Sequence, residues 1–492
     1  MNVTTDSGTV SGLEVDGLHH FRNIPFAAPP FGARRFLPPM PVEKWDGVRD
    51  GTKPGPAAPQ PIDEKDPLGP LYAPPATGED CLTLEVWTPD PGSAGLPVMV
   101  HIHGGAYVSG TGSVIGYSGR HFARDGVVHV GINYRLGIDG FLYLGEGHDN
   151  LGLRDQTAAL EWVQRNIARF GGDPARVTIF GQSGGGVSVM LNLAMPASRG
   201  LFAQAIAQSG CSMPSVDADE AARLTRQVAR RLRIDPTPEG FSTLSLDRTI
   251  AAAQKTVTSF ALGLLRSDPR ALLISAFRAV HGTETLPANA FESAGTAPSV
   301  PLVAGTARNE TGPFVDGIGA LGPGLAPLVT RGIRRALRMD KTMERAYREG
   351  PRQIARRTDL VEAAWTDWAF RIPTIRLVEA RPETSWLYEF RWQDENRRPG
   401  TGSLHGIDVP FSRDLLDDVI ALGEPGRSIF GTAPSQAVAT DMHSAWVAFA
   451  KTGDPGWPRY EIGARLTKIF DTESSVIPDA AGVERIAWEG RR

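Results

Sequence analysis

The sequence predicts an α/β protein with a large, mostly parallel central sheet flanked by helices. Between residues 127 and 195, apolar β-like runs alternate with helical patterns, as in a parallel sheet. Residues 97–102, PVMVHI, are apolar enough for a strand that is buried on both faces. Residues 177–190, VTIFGQSGGGVSVM, have the pattern of a strand, a glycine-rich turn and a helix. Together these stretches predict the centre of the fold.

The amino-terminal part has a different character. Residues 3–22 alternate short β-like runs with glycines and predict a small antiparallel hairpin or meander. Residues 25–75 are rich in proline, so we expect an extended, irregular segment over the body, with Trp45 as an anchor. A separate linker is the alternative for that segment.

The remaining elements follow from short apolar runs and from helical periodicity. Further strands are predicted at residues 82–87, 127–133, 203–208, 300–304, 386–392 and 468–470. Helices are predicted at residues 151–170 and 434–452, the second burying Trp446 and Phe449. We expect one domain, residues 1–492, with helical insertions at about 216–295 and 324–380.

Composition narrows the class of protein. Of 492 residues, 41% are hydrophobic and 22% charged, as in a soluble globular protein. The net charge of -4 gives no electrostatic case for a nucleic acid or a membrane as partner. The arginines at 334, 335 and 338 alternate with apolar positions, as on a surface helix. With two cysteines, read as buried thiols, and no long apolar stretch, we expect a cytoplasmic protein.

The glycine-rich turn carries the first candidate for chemistry. Ser183 lies between Gly181 and the glycines at 184 and 185, matching the nucleophile elbow, in which a strained turn holds a serine hydroxyl clear of the sheet. A turn without chemistry is the alternative. Residues 103–107, HGGAY, follow a buried strand and match a loop whose backbone N–H groups complete an oxyanion hole. A simple turn is again the alternative.

Several motifs in order resemble those of type B carboxylesterases. The proline-rich opening FRNIPFAAPPFGARRFLPP, the EDCL run at 79–82, residues 150–186 and the late FAKTGDP run all match that family's patterns. The resemblance covers nearly the full length. It implies an α/β-hydrolase fold and hydrolysis of a small-molecule ester without a metal or another cofactor. It also implies a monomer or homodimer.

The resemblance also implies roles for individual residues. Ser183 matches the nucleophile, Glu310 the acid and His405 the base of a Ser-His-Glu triad. The oxyanion donors would be Gly105, Ala106 and Gly184, and the supporting residues Ser209, Gln182 and Gly104.

This chain departs from the family pattern at informative positions. The residue before the nucleophile is usually Glu and the one after it Ala, whereas here they are Gln182 and Gly184. Because of these two changes, the family's rate and pH optimum carry over to this chain less safely than its reaction type does. Cys81 has no cysteine upstream, so the disulfide of secreted relatives is not expected. No tryptophan lies between residues 45 and 87, which argues against a choline ester specialist.

We therefore expect an esterase for small to medium aryl or alkyl esters, with an acyl-serine intermediate. Phenylalanines at 260, 314 and 370 are candidate pocket residues, although core packing explains them equally well. Three alternatives remain: a specialist for one natural or xenobiotic ester, a lipase, and a non-catalytic binding protein. A chain-length series of esters separates lipase from esterase.

Overall fold

A computed structural model of the chain describes residues 1–63, 66, 68–212, 215–273, 275–289, 293, 300–394 and 402–491. The strands within these residues are short at the amino terminus and longer in the middle of the chain. They are β1 (Asn2–Thr4), β2 (Thr9–Ser11), β3 (Leu13–Val15), β4 (Leu18–Pro25), β5 (Val48–Asp50), β6 (Thr83–Thr88), β7 (Leu96–Ile102), β8 (Val128–Ile132), β9 (Gly172–Gln182), β10 (Gln204–Gln208), β11 (Val216–Asp217), β12 (Val280–His281), β13 (Leu302–Ala307), β14 (Ser385–Phe390), β15 (Leu466–Phe470) and β16 (Ser475–Pro478).

Eleven of these strands form one sheet, in the order β16-β15-β14-β13-β10-β9-β7-β8-β6-β4-β3. The strands from β15 to β8 in this order are all parallel, while β16 at one end and β6, β4 and β3 at the other are antiparallel to their neighbours. Strands β1, β2 and β5 form a small separate sheet, and β11 pairs with β12. The predicted mostly parallel sheet is therefore observed.

Helices flank this sheet and connect its strands. They are α1 (Gly69–Tyr72), α2 (Arg120–Arg124), α3 (Gly137–Phe141), α4 (Leu151–Asn166), α5 (Gly184–Ala194), α6 (Ala218–Leu232), α7 (Pro238–Ser242), α8 (Leu246–Ala261), α9 (Gly312–Gly319), α10 (Gly322–Ala336), α11 (Lys341–Glu349), α12 (Arg357–Thr366), α13 (Ile372–Glu379), α14 (Asp408–Ser412), α15 (Leu416–Ala421), α16 (Glu424–Phe430), α17 (Gln436–Thr452) and α18 (Gly482–Ala487). A π-helical turn, Asp367–Arg371, joins α12 to α13.

The register of the central strands brings the candidate site residues to one edge. Ile102 of β7 lies opposite Gly181 of β9, and Gln182 lies opposite Gln208 of β10. Gln208 in turn lies opposite Gly305 of β13. These parallel strands thus end at the same level, and the segments that follow them meet at the carboxyl edge of the sheet.

Both faces of the sheet are covered by buried apolar side chains. Most of the core lies on the face covered by α4, α5 and α13. A second cluster includes Trp446 and Phe449 of α17, both fully buried, as predicted. The burial of two large rings from one helix fixes α17 against the sheet.

The sequence located most of these elements, with shifts at their ends. The helix predicted at 151–170 is α4 followed by a 3₁₀ turn, Ile167–Phe170, and the strand predicted at 300–304 is β13, which runs two to three residues later. Trp45 anchors the proline-rich segment through a 3.0 Å hydrogen bond from Nε1 to the Thr9 carbonyl. Residues 216–295 are largely helical but also contain β11 and β12. Within that range, residues 274, 290–292, 294 and 295 lie outside the described residues.

Two further findings concern the cysteines and membrane spans. Cys81 and Cys211 are both buried thiols. Burial raises the pKa of the Cys81 thiol above its usual range.

Across the described residues, none of the helices has the length and apolar content needed to cross a bilayer.

Candidate active site

Ser183 occupies a sharp turn between β9 and α5. Its backbone has φ 57° and ψ −125°, a region that residues with a side chain rarely adopt. Its N–H donates to the Gln208 carbonyl at 2.9 Å, and its carbonyl accepts from Val187 at 2.8 Å. A Cβ on Gly185 would lie 2.0 Å from the Ile102 carbonyl oxygen, so only glycine allows this close approach of helix and strand. The turn has the geometry of a nucleophile elbow.

Glu310 lies three residues beyond the end of β13 and is fully buried. Its Oε1 accepts hydrogen bonds from the Ala307 N–H at 2.7 Å and from Ser209 Oγ at 2.6 Å. A buried carboxylate needs such donors to offset its lost hydration. Ser209 therefore holds one oxygen of Glu310 and leaves the other free for a different partner.

That partner is His405. Its Nδ1 lies 2.5 Å from Glu310 Oε2, a contact that places the proton of the neutral imidazole on Nδ1. The other ring nitrogen, Nε2, lies 3.3 Å from Gln182 Nε2. The ring also packs against Phe370, with centroids 5.2 Å apart. The His405 side chain is 16% exposed, so solvent or a ligand reaches the imidazole while the glutamate stays sealed.

The glycine loop after β7 lies directly beside this turn. Gly105 and Ala106 have φ values of 101° and 53°. A Cβ on Gly184 would lie 3.1 Å from the Ala106 backbone nitrogen, so these two candidate donors are neighbours. Gly104 also lies close to the nucleophile turn, since a Cβ there would lie 2.8 Å from the Gln182 carbonyl oxygen. The loop thus brings backbone N–H groups to the nucleophile turn.

Buried side chains hold this loop in place. Tyr134 donates from its hydroxyl to the His103 carbonyl at 2.7 Å, and the two rings stack. Burial lowers the pKa of His103 to about 4, so the imidazole is neutral at neutral pH. Tyr107 stacks on Phe141 and accepts a 3.2 Å hydrogen bond from Ser188 Oγ. These contacts pre-organise the loop before a ligand arrives.

The structure brings together all nine residues predicted for the site from the sequence. Within the described part of the chain, Ser183 Oγ and His405 Nε2 are not joined by a hydrogen bond. The described residues include no group of three or more His, Cys, Asp or Glu side chains arranged to hold a metal ion. The chemistry that this arrangement offers is nucleophilic attack with general base assistance.

Comparison with known proteins identifies the family. The model of the carboxylesterase family matches residues 1–468. The chain belongs to the carboxylesterase family. The resemblance inferred from the sequence motifs is therefore confirmed, and the protein is a carboxylic ester hydrolase.

Relatives of this esterase match it over nearly the whole chain. Para-nitrobenzyl esterase of Bacillus subtilis (strain 168) is 34% identical, over 98% of this chain and 97% of its own length. Phenmedipham hydrolase of Pseudarthrobacter oxydans is 33% identical, over 93% and 92%. Fumonisin B1 esterase of Sphingopyxis macrogoltabida is 34% identical, over 93% and 84%.

Solved structures agree with the fold. A PNB esterase superimposes with a TM-score of 0.80 at 32% identity, covering 99% of each chain. The carboxylesterase of Geobacillus stearothermophilus gives a TM-score of 0.84 at 30% identity, over 99% of this chain and all of its own. The predicted α/β-hydrolase fold is thereby confirmed.

One buried acid beside the site was missed in the sequence. Asp408 of this esterase lies three residues after His405 and accepts hydrogen bonds at Oδ2 from Gln208 Nε2 (2.9 Å) and from the Tyr388 hydroxyl (3.2 Å). Burial, together with the nearby charge of Glu310, raises the pKa of Asp408 to about 6. The only sequence signal was its position in the LHGIDVPF run.

Proposed function

We propose that this carboxylesterase cleaves small to medium aryl and alkyl esters through an acyl-serine intermediate. Ser183 is the nucleophile, His405 the general base and Glu310 the residue that orients the imidazole. The observation that carries the proposal is the 2.5 Å contact between His405 Nδ1 and Glu310 Oε2, next to the strained Ser183 turn. This contact leaves Nε2 as the nitrogen that can accept a proton.

In the first half of the reaction, His405 Nε2 takes the Ser183 proton as Oγ attacks the ester carbonyl carbon. The carbonyl oxygen becomes an oxyanion, which accepts hydrogen bonds from the N–H groups of Gly105, Ala106 and Gly184. Each such donor is typically worth about 3 kcal/mol in the transition state. The imidazolium then protonates the leaving alcohol, and the acyl group stays on Ser183.

In the second half, His405 takes a proton from water, and the hydroxide attacks the acyl carbon. The same donors stabilise the second oxyanion, and the imidazolium returns its proton to Ser183 Oγ as the acid leaves. Glu310, held by Ser209 and by the Ala307 N–H, stabilises the imidazolium in both halves.

Gln182 has a part in the resting state. Its amide donates toward His405 Nε2 at 3.3 Å, the same nitrogen that must accept the Ser183 proton. The amide therefore gives way to the Ser183 hydroxyl before attack. A neutral amide adds no negative charge beside the imidazole, whereas a carboxylate at this position would add one.

The preference for uncharged esters rests on the surroundings of the base. Phe370 is fully buried and packs on the His405 ring, so an apolar surface lies beside the base. The relatives named above include a para-nitrobenzyl esterase, so aryl esters form the first test series. The alternative function is that of a specialist for one ester. The names phenmedipham hydrolase and fumonisin B1 esterase indicate such a preference for those two relatives.

The function is tested by hydrolysis of para-nitrophenyl esters of increasing acyl length. Ser183→Ala and His405→Ala are each expected to lower kcat roughly ten-thousandfold. Ser198→Ala, which alters a buried serine bonded to Asn192, serves as a control and should retain activity. Full turnover by Ser183→Ala would overturn the proposal. A rate that peaks at long acyl chains would favour a lipase.

The proposal also includes the location of the esterase in the cell and its oligomeric state. A cytoplasmic location fits a chain with only two cysteines, of which Cys81 is a buried thiol. We also propose that the esterase works as a monomer or homodimer, as one compact domain without a cofactor. Cell fractionation and light scattering measure location and oligomeric state.

A further inference from the structure

Six large apolar side chains are exposed on neighbouring segments outside the site. They are Leu262, Leu265, Phe314, Leu321, Leu325 and Leu328, each between 37 and 56% exposed, and are called the leucine patch below. Isolated exposed leucines are ordinary, but several large apolar side chains exposed on neighbouring segments indicate an interaction surface.

The segments of the patch pack together. A Cβ on Gly332 of α10 would lie 2.0 Å from the Leu264 carbonyl oxygen, so the helix contacts the turn Leu262–Arg266 directly. Helix α9, which carries Phe314, also contacts α10. The three segments that carry the patch are therefore packed against one another.

Helix α10 and the residues at its two ends present three sets of side chains. Val329, Ile333 and Ala336 are buried against the body. Beside them, Leu321, Leu325 and Leu328 recur at spacings of four and three residues and are exposed. This arrangement adds an exposed apolar stripe to the buried one that an ordinary surface helix has.

The third set is basic. Arg331, Arg335 and Arg338 are exposed and follow the leucines along the chain, from the second half of α10 to the second residue beyond its end. Among the described residues, no carboxylate forms an ion pair with any of these three, whereas Arg334 is paired with Glu344. A groove of about 920 Å³ beside α10 is lined by five arginines, the fifth being Arg357, and by no acidic residue. This face is therefore positively charged, although the net charge of the whole chain is -4.

The patch lies on the catalytic side of the molecule. Helix α9 begins two residues after Glu310, and α10 follows it. Both therefore leave the carboxyl edge of the sheet, where Ser183 and the glycine loop also lie. A surface bound to the patch would therefore approach the edge of the sheet at which the site lies.

We propose that the leucine patch and its three arginines dock this esterase on an anionic lipid bilayer. Leucines beside arginines match the composition of helices that lie in a lipid interface. A second copy of the chain is disfavoured because the groove beside α10 is lined by arginines and by no acidic residue, so the same surface of another copy offers these arginines no anionic partner. The consequence, which rests on the proposed function, is that the substrates include lipophilic esters dissolved in the bilayer.

Vesicle cosedimentation tests the docking without relying on catalysis. The full chain carrying Ser183→Ala is mixed with phosphatidylglycerol/phosphatidylcholine vesicles or with pure phosphatidylcholine vesicles. We expect binding to the anionic vesicles at low salt and at least tenfold weaker binding to the neutral ones. Adding Leu325→Ser and Leu328→Ser should weaken binding roughly tenfold. Arg331→Gln and Arg335→Gln should each weaken it about fivefold.

Ile462→Ser is the matched control, because Ile462 is also exposed but precedes β15 at the opposite edge of the sheet. It should leave binding unchanged. Equal binding by the Leu325/Leu328 variant, or no binding to anionic vesicles, would overturn the proposal. So would a dimer in solution that Leu325→Ser dissociates, since the patch would then be covered by a second copy.

Discussion

Gln182 Nε2 lies 3.3 Å from His405 Nε2, although 223 positions separate the two residues in the chain. The amide therefore contacts the nitrogen that acts as base in the proposed mechanism. In type B carboxylesterases this position usually carries Glu, so the esterase has exchanged a charge for a dipole beside its imidazole. The pH dependence of activity should report this exchange.

Gln182→Glu is expected to move the acid limb of the kcat/KM profile to higher pH by about one unit. A carboxylate beside Nε2 favours the protonated imidazole, which cannot act as base. Gln182→Met removes the hydrogen bond without adding charge and should move the limb less than half as far. Coincident acid limbs for Gln182→Glu and the wild type would contradict the assignment.

Gly184→Ala should lower kcat about three- to tenfold with little change in KM. The new Cβ would lie 3.1 Å from the Ala106 nitrogen, so the donor loop must shift by a few tenths of an ångström away from the oxyanion. Gly317→Ala is the control, since a Cβ at that helical glycine meets nothing within 4 Å. Unchanged kcat for Gly184→Ala would show that the loop tolerates the methyl group.

Ser209→Ala should lower kcat/KM roughly tenfold. It removes the 2.6 Å hydrogen bond that holds Glu310 Oε1, and bonds to a charged group are worth about 1.5–3 kcal/mol. Steady-state kinetics alongside Ser198→Ala separates this effect from the loss of any buried hydroxyl. Equal losses in the two variants would mean that Ser209 serves packing alone.

Asp408→Asn tests the buried acid beside His405. Its pKa of about 6 is raised above the ordinary 3.8 because burial penalises the charged form. The wild type therefore loses stability as pH rises from about 4 to 6, on the order of 2 kcal/mol, while the variant lacks this loss. Asn can still accept from Gln208 and Tyr388. The free energy of unfolding is measured with urea at pH 4.5 and 7.5. The value for the variant minus that for the wild type should be larger at pH 7.5 than at pH 4.5. A difference that is the same at both pH values would contradict the raised pKa.

Local patterns explain why the sequence located the centre of the fold. The elbow around Ser183 is encoded by adjacent glycines, and buried strands such as β7 are continuous apolar runs, so both are visible in a short window. Glu310 and His405 were placed by family resemblance, because nothing in a loop glutamate or in one of ten histidines marks it for catalysis.

The features that were missed depend on distant contacts. Strands β11 and β12 are two residues each and pair across 64 positions, so no local periodicity signals them. Asp408 becomes a buried acid only because Gln208 and Tyr388 are brought to it by β10 and β14. The contact between Gln182 and His405 likewise exists only in the folded chain. Tertiary packing decides such features, and a single sequence does not record them.

The central claim is that the acyl group is carried by Ser183. The most direct measurement is mass spectrometry of the esterase quenched during turnover of para-nitrophenyl acetate, followed by peptide mapping. The account predicts one acetyl group per chain, on the peptide that contains Ser183, and none in Ser183→Ala. Acetylation at another residue that appears and decays at the rate of turnover would contradict it.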